Sequence, residues 1–165
     1  MPLTVEEIRP GLVVFLDQAM FLERWDVLQT LPTRSVKVRP HVCLSVDGER
    51  CAWTPLTSRW RRERLPILAS WRLGGDRAWR GARSYLHDGA SVVVGPRAAF
   101  VHASHKDVAP AEERPALTPE GCAQILVAIE RARGRRQVGP SLVLTADRIT
   151  GLPQGDGPVR ASRPR

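Results

Sequence analysis

The chain is short of the residues that mark disulfide-rich, metal-binding and membrane-spanning proteins. Its 165 residues include only three cysteines and no Cys-x-x-Cys pair. This argues against a disulfide framework or a zinc site and favours small buried thiols in a reducing cytoplasm. No apolar run approaches the ~18 residues of a spanning helix, and the N-terminus lacks a signal-peptide pattern. The sequence therefore predicts a cytoplasmic protein without a membrane partner.

Residue patterns that hold cofactors or metal ions are missing as well. Gly74 and Gly75 are not followed by the lysine and helix of a phosphate-binding loop. His102 and His105 have the spacing of metal ligands, but Asp107 alone stands at a suitable distance to add a third. We therefore expect neither a cofactor nor a metal ion.

Lysine is also scarce, because only two of the 25 basic residues are lysines and the rest are arginines. The net charge of +8 is concentrated in two regions of the chain. Residues 50–83 hold nine arginines and two acidic residues, a net charge of +7, and residues 131–165 carry +6. Since the segments between these regions are mildly acidic, the distribution indicates a face that binds a polyanion and a separate basic tail.

Apolar runs and turn signals predict an antiparallel β fold. Residues 36–46 and 50–56 are predicted strands, and the Asp47-Gly48 turn between them is a strong hairpin signal. Other apolar runs predict further strands at residues 11–16, 65–68, 90–94 and 98–102.

One helix is clear, and it closes the predicted domain. Thr118 suits the N-cap, apolar residues recur at helical spacing, and Gly134 follows the last charged turn. We predict a mainly β domain over residues 1–136, built as a strongly bent antiparallel sheet or small barrel closed by this C-terminal helix. Residues 137–165 are predicted to be a flexible, basic tail rich in glycine and proline.

Two short motifs carry a resemblance to a known family. Residues 39–45 read Arg-Pro-His-Val-Cys-Leu-Ser, and residues 54–58 read Thr-Pro-Leu-Thr-Ser. In this order, after a Gly-Leu-Val-Val strand at residues 11–14, they resemble the MazF/PemK family of toxin endoribonucleases over residues 9–133. The resemblance implies an SH3-like barrel that forms a homodimer, cleaves single-stranded RNA without metal, and is silenced by a cognate antitoxin protein.

The family's catalytic arginine and threonine correspond to Arg39 and Thr57. Metal-free cleavage requires a 2′-hydroxyl to attack the adjacent phosphorus, and fixed donors must stabilise the charge that builds on the phosphoryl oxygens. Arginine offers a planar fork of donors with a permanent charge, and a threonine hydroxyl adds a hydrogen bond. The alternative is that Arg39 is a surface residue beside an edge proline and Thr57 an ordinary strand residue.

The residues that follow Thr57 are predicted to line an RNA groove. This set consists of Ser58, Arg59, Trp60, Arg61 and Arg62. Trp60 stands between arginines, an arrangement that suits the stacking of unpaired bases. Trp53 and Trp71 are instead expected in the core or in a dimer interface.

Two departures from the family leave the function open. Residues 92–97 lack the acid that some members carry, and residues 17–38 contain no histidine. No general base is therefore apparent near Arg39, because an arginine is too weak a base for this role. The alternative to the endoribonuclease is a non-catalytic SH3-like barrel that binds nucleic acid or an acidic protein partner.

Overall fold

The fold is a mixed one in which antiparallel strands dominate. The computed structural model describes residues 2–22, 24–31, 36–89, 91–136 and 142–151. The strands in these ranges are β1 Val13–Asp17, β2 Leu28–Gln29, β3 Val38–Asp47, β4 Arg50–Thr57, β5 Arg72–Leu73, β6 Tyr85–Leu86, β7 Val93–Pro96, β8 Ala116–Leu117, β9 Val143–Leu144 and β10 Ile149–Thr150. The α-helices are α1 Ala19–Leu22, α2 Arg77–Gly81, α3 Arg97–Ala103 and α4 Pro119–Arg136.

The β3–β4 hairpin is the centre of a six-stranded sheet. Its turn contains Gly48, whose φ of +59° favours glycine, so the predicted hairpin is confirmed. The strand order is β1-β3-β4-β7-β2, and β6 pairs with the end of β4. In the described part of the chain β1 and β2 stay apart at the two ends of this order, so the antiparallel sheet is confirmed but is not closed into a barrel.

Alternate residues of the hairpin face two separate hydrophobic cores. Leu44 and Leu56 belong to a core that includes Ile125 of α4. Trp53 belongs to the other, where its ring centroid lies 5.6 Å from that of Phe100 in α3. Because side chains alternate between the two faces of a strand, this division shows that the sheet is covered on both faces.

Helix α4 confirms the clearest helical prediction except at its end, because the helix continues through Gly134, the predicted cap, to Arg136. The amide of Gly121 donates to the hydroxyl of Thr118 at 3.1 Å, the geometry of an N-cap. Ile125 and Ile129 are buried against the sheet, so the apolar face of the helix is used within the chain. The homodimer therefore stays a prediction of the family resemblance. None of the helices in the described ranges is long and apolar enough to cross a membrane.

The strand predicted at residues 98–102 is wrong, because these residues lie in α3. Pro96 ends β7 and occupies the N-cap position of the helix. Helical spacing then buries Ala99, Phe100 and Ala103 in the second core. A short apolar run after a proline fits either kind of element, and only the tertiary packing distinguishes them.

Residues 142–151 form a hairpin that packs on the end of β3. Ile149 is buried, and its amide donates to the carboxylate of Asp47 at 3.0 Å. The hydroxyl of Ser45 donates to the carbonyl of Arg148 at 3.1 Å. This hairpin lies within the predicted basic tail; residues 137–141 and 152–165 of that tail fall outside the described residues.

Candidate phosphate-binding site

The pairing between β3 and β4 stops before the two strands do, at the end of the hairpin far from its turn. The last paired residues are His41 and Pro55. Beyond them β3 continues to pair with β1, and β4 pairs with β6. Arg39 and Thr57 each lie two residues beyond that final pair, on neighbouring strands. Pro40 stands just before the ladder begins, near the strand start where a proline is tolerated.

A cavity of about 400 Å³ opens where the two strands separate. Arg39 and Thr57 both line it, and so do three residues of the predicted RNA groove, Ser58, Arg59 and Arg61. The other two groove residues are absent from this lining. Trp60 is exposed over two thirds of its surface, and Arg62 lines a second cavity.

The charges around the cavity are of one sign. Among the described residues its lining includes five cations and no carboxylate; the cations are Lys37, Arg39, Arg59, Arg61 and Arg64. Cations brought this close repel one another unless an anion lies between them. The arrangement therefore favours a bound anion such as a phosphate.

The guanidinium of Arg39 is half-buried, and its donors are not all used. The Nε atom is buried and has no hydrogen-bond partner among the residues that the structure describes. Burial and the charge of Arg59 lower the pKa of Arg39, but an arginine stays protonated at neutral pH. Because Arg39 lines the cavity, its charged guanidinium can bind a phosphate there.

Thr57 presents its hydroxyl at the last position of β4. The Oγ1 atom accepts a hydrogen bond from the amide of Arg59 at 3.2 Å. The hydroxyl hydrogen is not used by that bond, so it is available to donate to an oxygen in the cavity. Ser58, the next residue, is exposed and adds a second hydroxyl at the rim.

Arg64 holds the loop after β4 in place. Its Nε donates to the carbonyl of His87 at 2.9 Å, and its Nη1 donates to the carbonyl of Arg59 at 2.8 Å. These two bonds join the arginine-rich loop to the turn after β6. Arg64 belongs to the arginine-rich segment but was not among the predicted site residues.

His87 is the functional candidate that the sequence did not reveal. It follows β6, its amide donates to the carbonyl of Pro55 at 3.0 Å, and its ring lines the Arg39–Thr57 cavity. Its Nδ1 atom is buried and has no hydrogen-bond partner within the described ranges. Burial, assisted by the charges of Arg39 and Arg64, lowers the pKa of His87 to about 4, so its imidazole is neutral at pH 7.

A second histidine, His41, contacts the backbone of Arg39 from the protein interior. His41 is fully buried, and its Nδ1 lies 2.9 Å from the carbonyl of Arg39. Because a carbonyl only accepts, Nδ1 carries the hydrogen, and this bond fixes the backbone of the candidate catalytic arginine. Burial lowers the pKa of His41 to about 4, so this histidine is also neutral at pH 7.

Other arginines of the basic segment have structural roles. Arg72 donates to the carbonyls of Ile67 at 2.8 Å and Trp79 at 2.6 Å, and its guanidinium lies 5.2 Å from the centroid of the Trp79 ring. Trp53 and Trp71 are buried, as predicted. The basic segment is thus only partly a binding surface.

Comparisons with known proteins identify no relative. No family model, no curated protein and no solved structure matches this chain.

Among the described residues, no group of three or more histidine, cysteine or acidic side chains is placed to hold a metal ion. His105 instead lies 3.0 Å from the carboxylate of Asp17.

Proposed function

We propose that this protein is a MazF/PemK-like endoribonuclease that cleaves single-stranded RNA by attack of a 2′-hydroxyl. The observation that carries the proposal is the composition of one cavity, whose described lining residues provide five cations, the Thr57 hydroxyl and a neutral histidine but no carboxylate. This set can bind a phosphodiester, stabilise added negative charge and accept a proton. The family resemblance supplies the reaction type.

The proposed step needs only groups that line the cavity. His87 accepts the proton of the 2′-hydroxyl while the 2′-oxygen forms a bond to the adjacent phosphorus. The bond from phosphorus to the 5′-oxygen breaks, water protonates that oxygen, and His87 then returns its proton to solvent. Arg39 and Thr57 donate to the phosphoryl oxygens, where the transition-state charge develops.

The low pKa of His87 is compatible with this role. The nearby cations contribute to that low value in the protein without a ligand. A bound phosphate offsets their charge, which raises the pKa of the imidazole and makes it a stronger base. His87 would thus become a better proton acceptor when RNA occupies the cavity.

Three further parts of the proposal rest on the resemblance: an SH3-like barrel relationship, a homodimer and a cognate antitoxin. An antitoxin with an acidic segment would meet the same five cations as the RNA does.

The second candidate function is a non-catalytic domain that binds nucleic acid. The described lining residues include no carboxylate, which favours this function because His87 is then the only proton acceptor among those side chains.

Affinity for single-stranded RNA is expected to fall steeply with salt. The slope of log K against log salt should be about −0.7 for each phosphate that the protein contacts, because each contact releases condensed counterions. Fluorescence anisotropy of a labelled RNA oligomer over a salt series measures the slope. An affinity that does not change with salt, or no binding at low salt, would exclude both nucleic-acid functions and leave a protein-binding domain.

A further inference from the structure

A second, larger cavity continues from the first towards helix α4. Its volume is about 900 Å³, and its walls are residues 61–66, residues 86–89 and the last turns of α4. Arg61, Arg64 and His87 line both cavities. A polymeric ligand that is bound at Arg39 and Thr57 can therefore extend over these shared residues into the larger cavity.

The second cavity combines positive charge with an apolar floor. It is lined by five arginines and two acidic residues; the arginines are Arg61, Arg62, Arg64, Arg131 and Arg135. Leu65, Pro66 and the alanines of α4 provide the apolar surface between them. This pairing suits a ligand that has phosphates along one side and flat, weakly polar bases along the other.

The wall formed by α4 has a fixed position. Ile129 anchors the helix in the core, and Gly89 lies so close that an added Cβ would be 2.7 Å from the Cβ of Ala132. Arg131 and Arg135 are exposed and one helical turn apart, so both side chains project on the same side of the helix. These two arginines are placed to contact the phosphates of a ligand that extends out of the first cavity.

We propose that this second cavity binds the RNA chain on one side of the cleaved phosphate, with Arg131 and Arg135 contacting its phosphates. The inference rests on the proposed function and adds a binding site for the flanking nucleotides. The apolar surface between the arginines, which suits bases, and the continuity of the two cavities favour RNA over an acidic peptide. The arginines of α4 act in binding, so they should contribute little to the chemical step.

The test is the double variant Arg131→Ala/Arg135→Ala. The matched control, Arg77→Ala/Arg148→Ala, removes the same charge from exposed positions that line neither cavity. The variant should reduce the salt slope for an RNA oligomer by about 1.4, since two phosphate contacts are lost, while the control retains the wild-type slope. The KM for a long RNA should rise with kcat unchanged, and cleavage of a dinucleotide should be unaffected.

Four outcomes separate this inference from the proposed function. If wild type binds no RNA, both fail; if it binds without cleaving, only the nuclease fails and the slopes still test the cavity. If the variant keeps the slope of the control, the second cavity does not hold RNA. If polyglutamate binds wild type more tightly than RNA does, and the variant abolishes only that binding, the occupant is an acidic protein. A glutamine pair replaces the alanines if thermal unfolding shows that these disturb the fold.

Discussion

Replacing Arg39 with alanine is expected to slow RNA cleavage by roughly a hundred- to a thousandfold. Loss of one donor aimed at transition-state charge typically removes about 3–4 kcal/mol of stabilisation. The fold should survive, because the half-buried guanidinium has an Nε without a protein partner. Binding should weaken far less, since one phosphate contact among several is removed. Single-turnover rates and RNA affinities, measured on the same preparations, separate the two effects.

Two variants sharpen this experiment. Arg39→Lys keeps the charge but loses the planar fork of donors, so its rate should lie between those of wild type and Arg39→Ala. Arg148→Ala removes an equal charge from an exposed position outside both cavities and should cleave at the wild-type rate. If Arg39→Ala and Thr57→Ala both cleave as fast as wild type, the enzyme exists but its site lies elsewhere.

Stability is expected to fall as the pH drops from about 6.5 towards 4, and His41 should account for much of the loss. In the folded protein burial lowers the pKa of His41 to about 4, whereas in the unfolded chain it is near 6.5. Between these values the unfolded chain binds more protons, so acid favours unfolding. The stability present above pH 6.5 should decline by about 1.4 kcal/mol per pH unit, or roughly 3 kcal/mol in total.

Urea denaturation at a series of pH values measures this dependence. His41→Gln should flatten the profile between pH 6.5 and 4, whatever its effect on stability at neutral pH. His102→Gln, which changes an exposed histidine, should leave the profile unchanged. His87 adds a contribution of the same sign, because its pKa is also lowered to about 4. Identical slopes for wild type and His41→Gln would show that His41 is not the group responsible.

The parts of the fold that depend on local signals were predictable. The Asp47-Gly48 turn sets the hairpin, and alternation along its strands sets the faces that are buried. The same hairpin brings Arg39 and Thr57 to one cavity, because antiparallel pairing places the start of one strand beside the end of the other. Helix α4 was equally clear, since its cap and apolar spacing are both local.

The missed features depend on contacts between distant segments. His87 joins the site only because β6 pairs with the end of β4, about 30 positions earlier in the chain. The short run at α3 takes its helical form from packing on the sheet, which a periodicity of a few residues does not reveal. Arg72 counts towards the positive charge of residues 50–83, but its Nη1 and Nη2 atoms donate to carbonyls inside the protein.

The most direct test of the central claim is an end-group analysis of RNA treated with the wild-type protein. A mixed-sequence, single-stranded RNA is incubated in EDTA, alongside the same strand made with 2′-deoxy nucleotides. We predict cleavage of the RNA alone, to products with 2′,3′-cyclic phosphate and 5′-hydroxyl ends. Cleavage of the deoxy strand, products with 5′-phosphate ends, or no cleavage with or without added metal would contradict the proposed reaction.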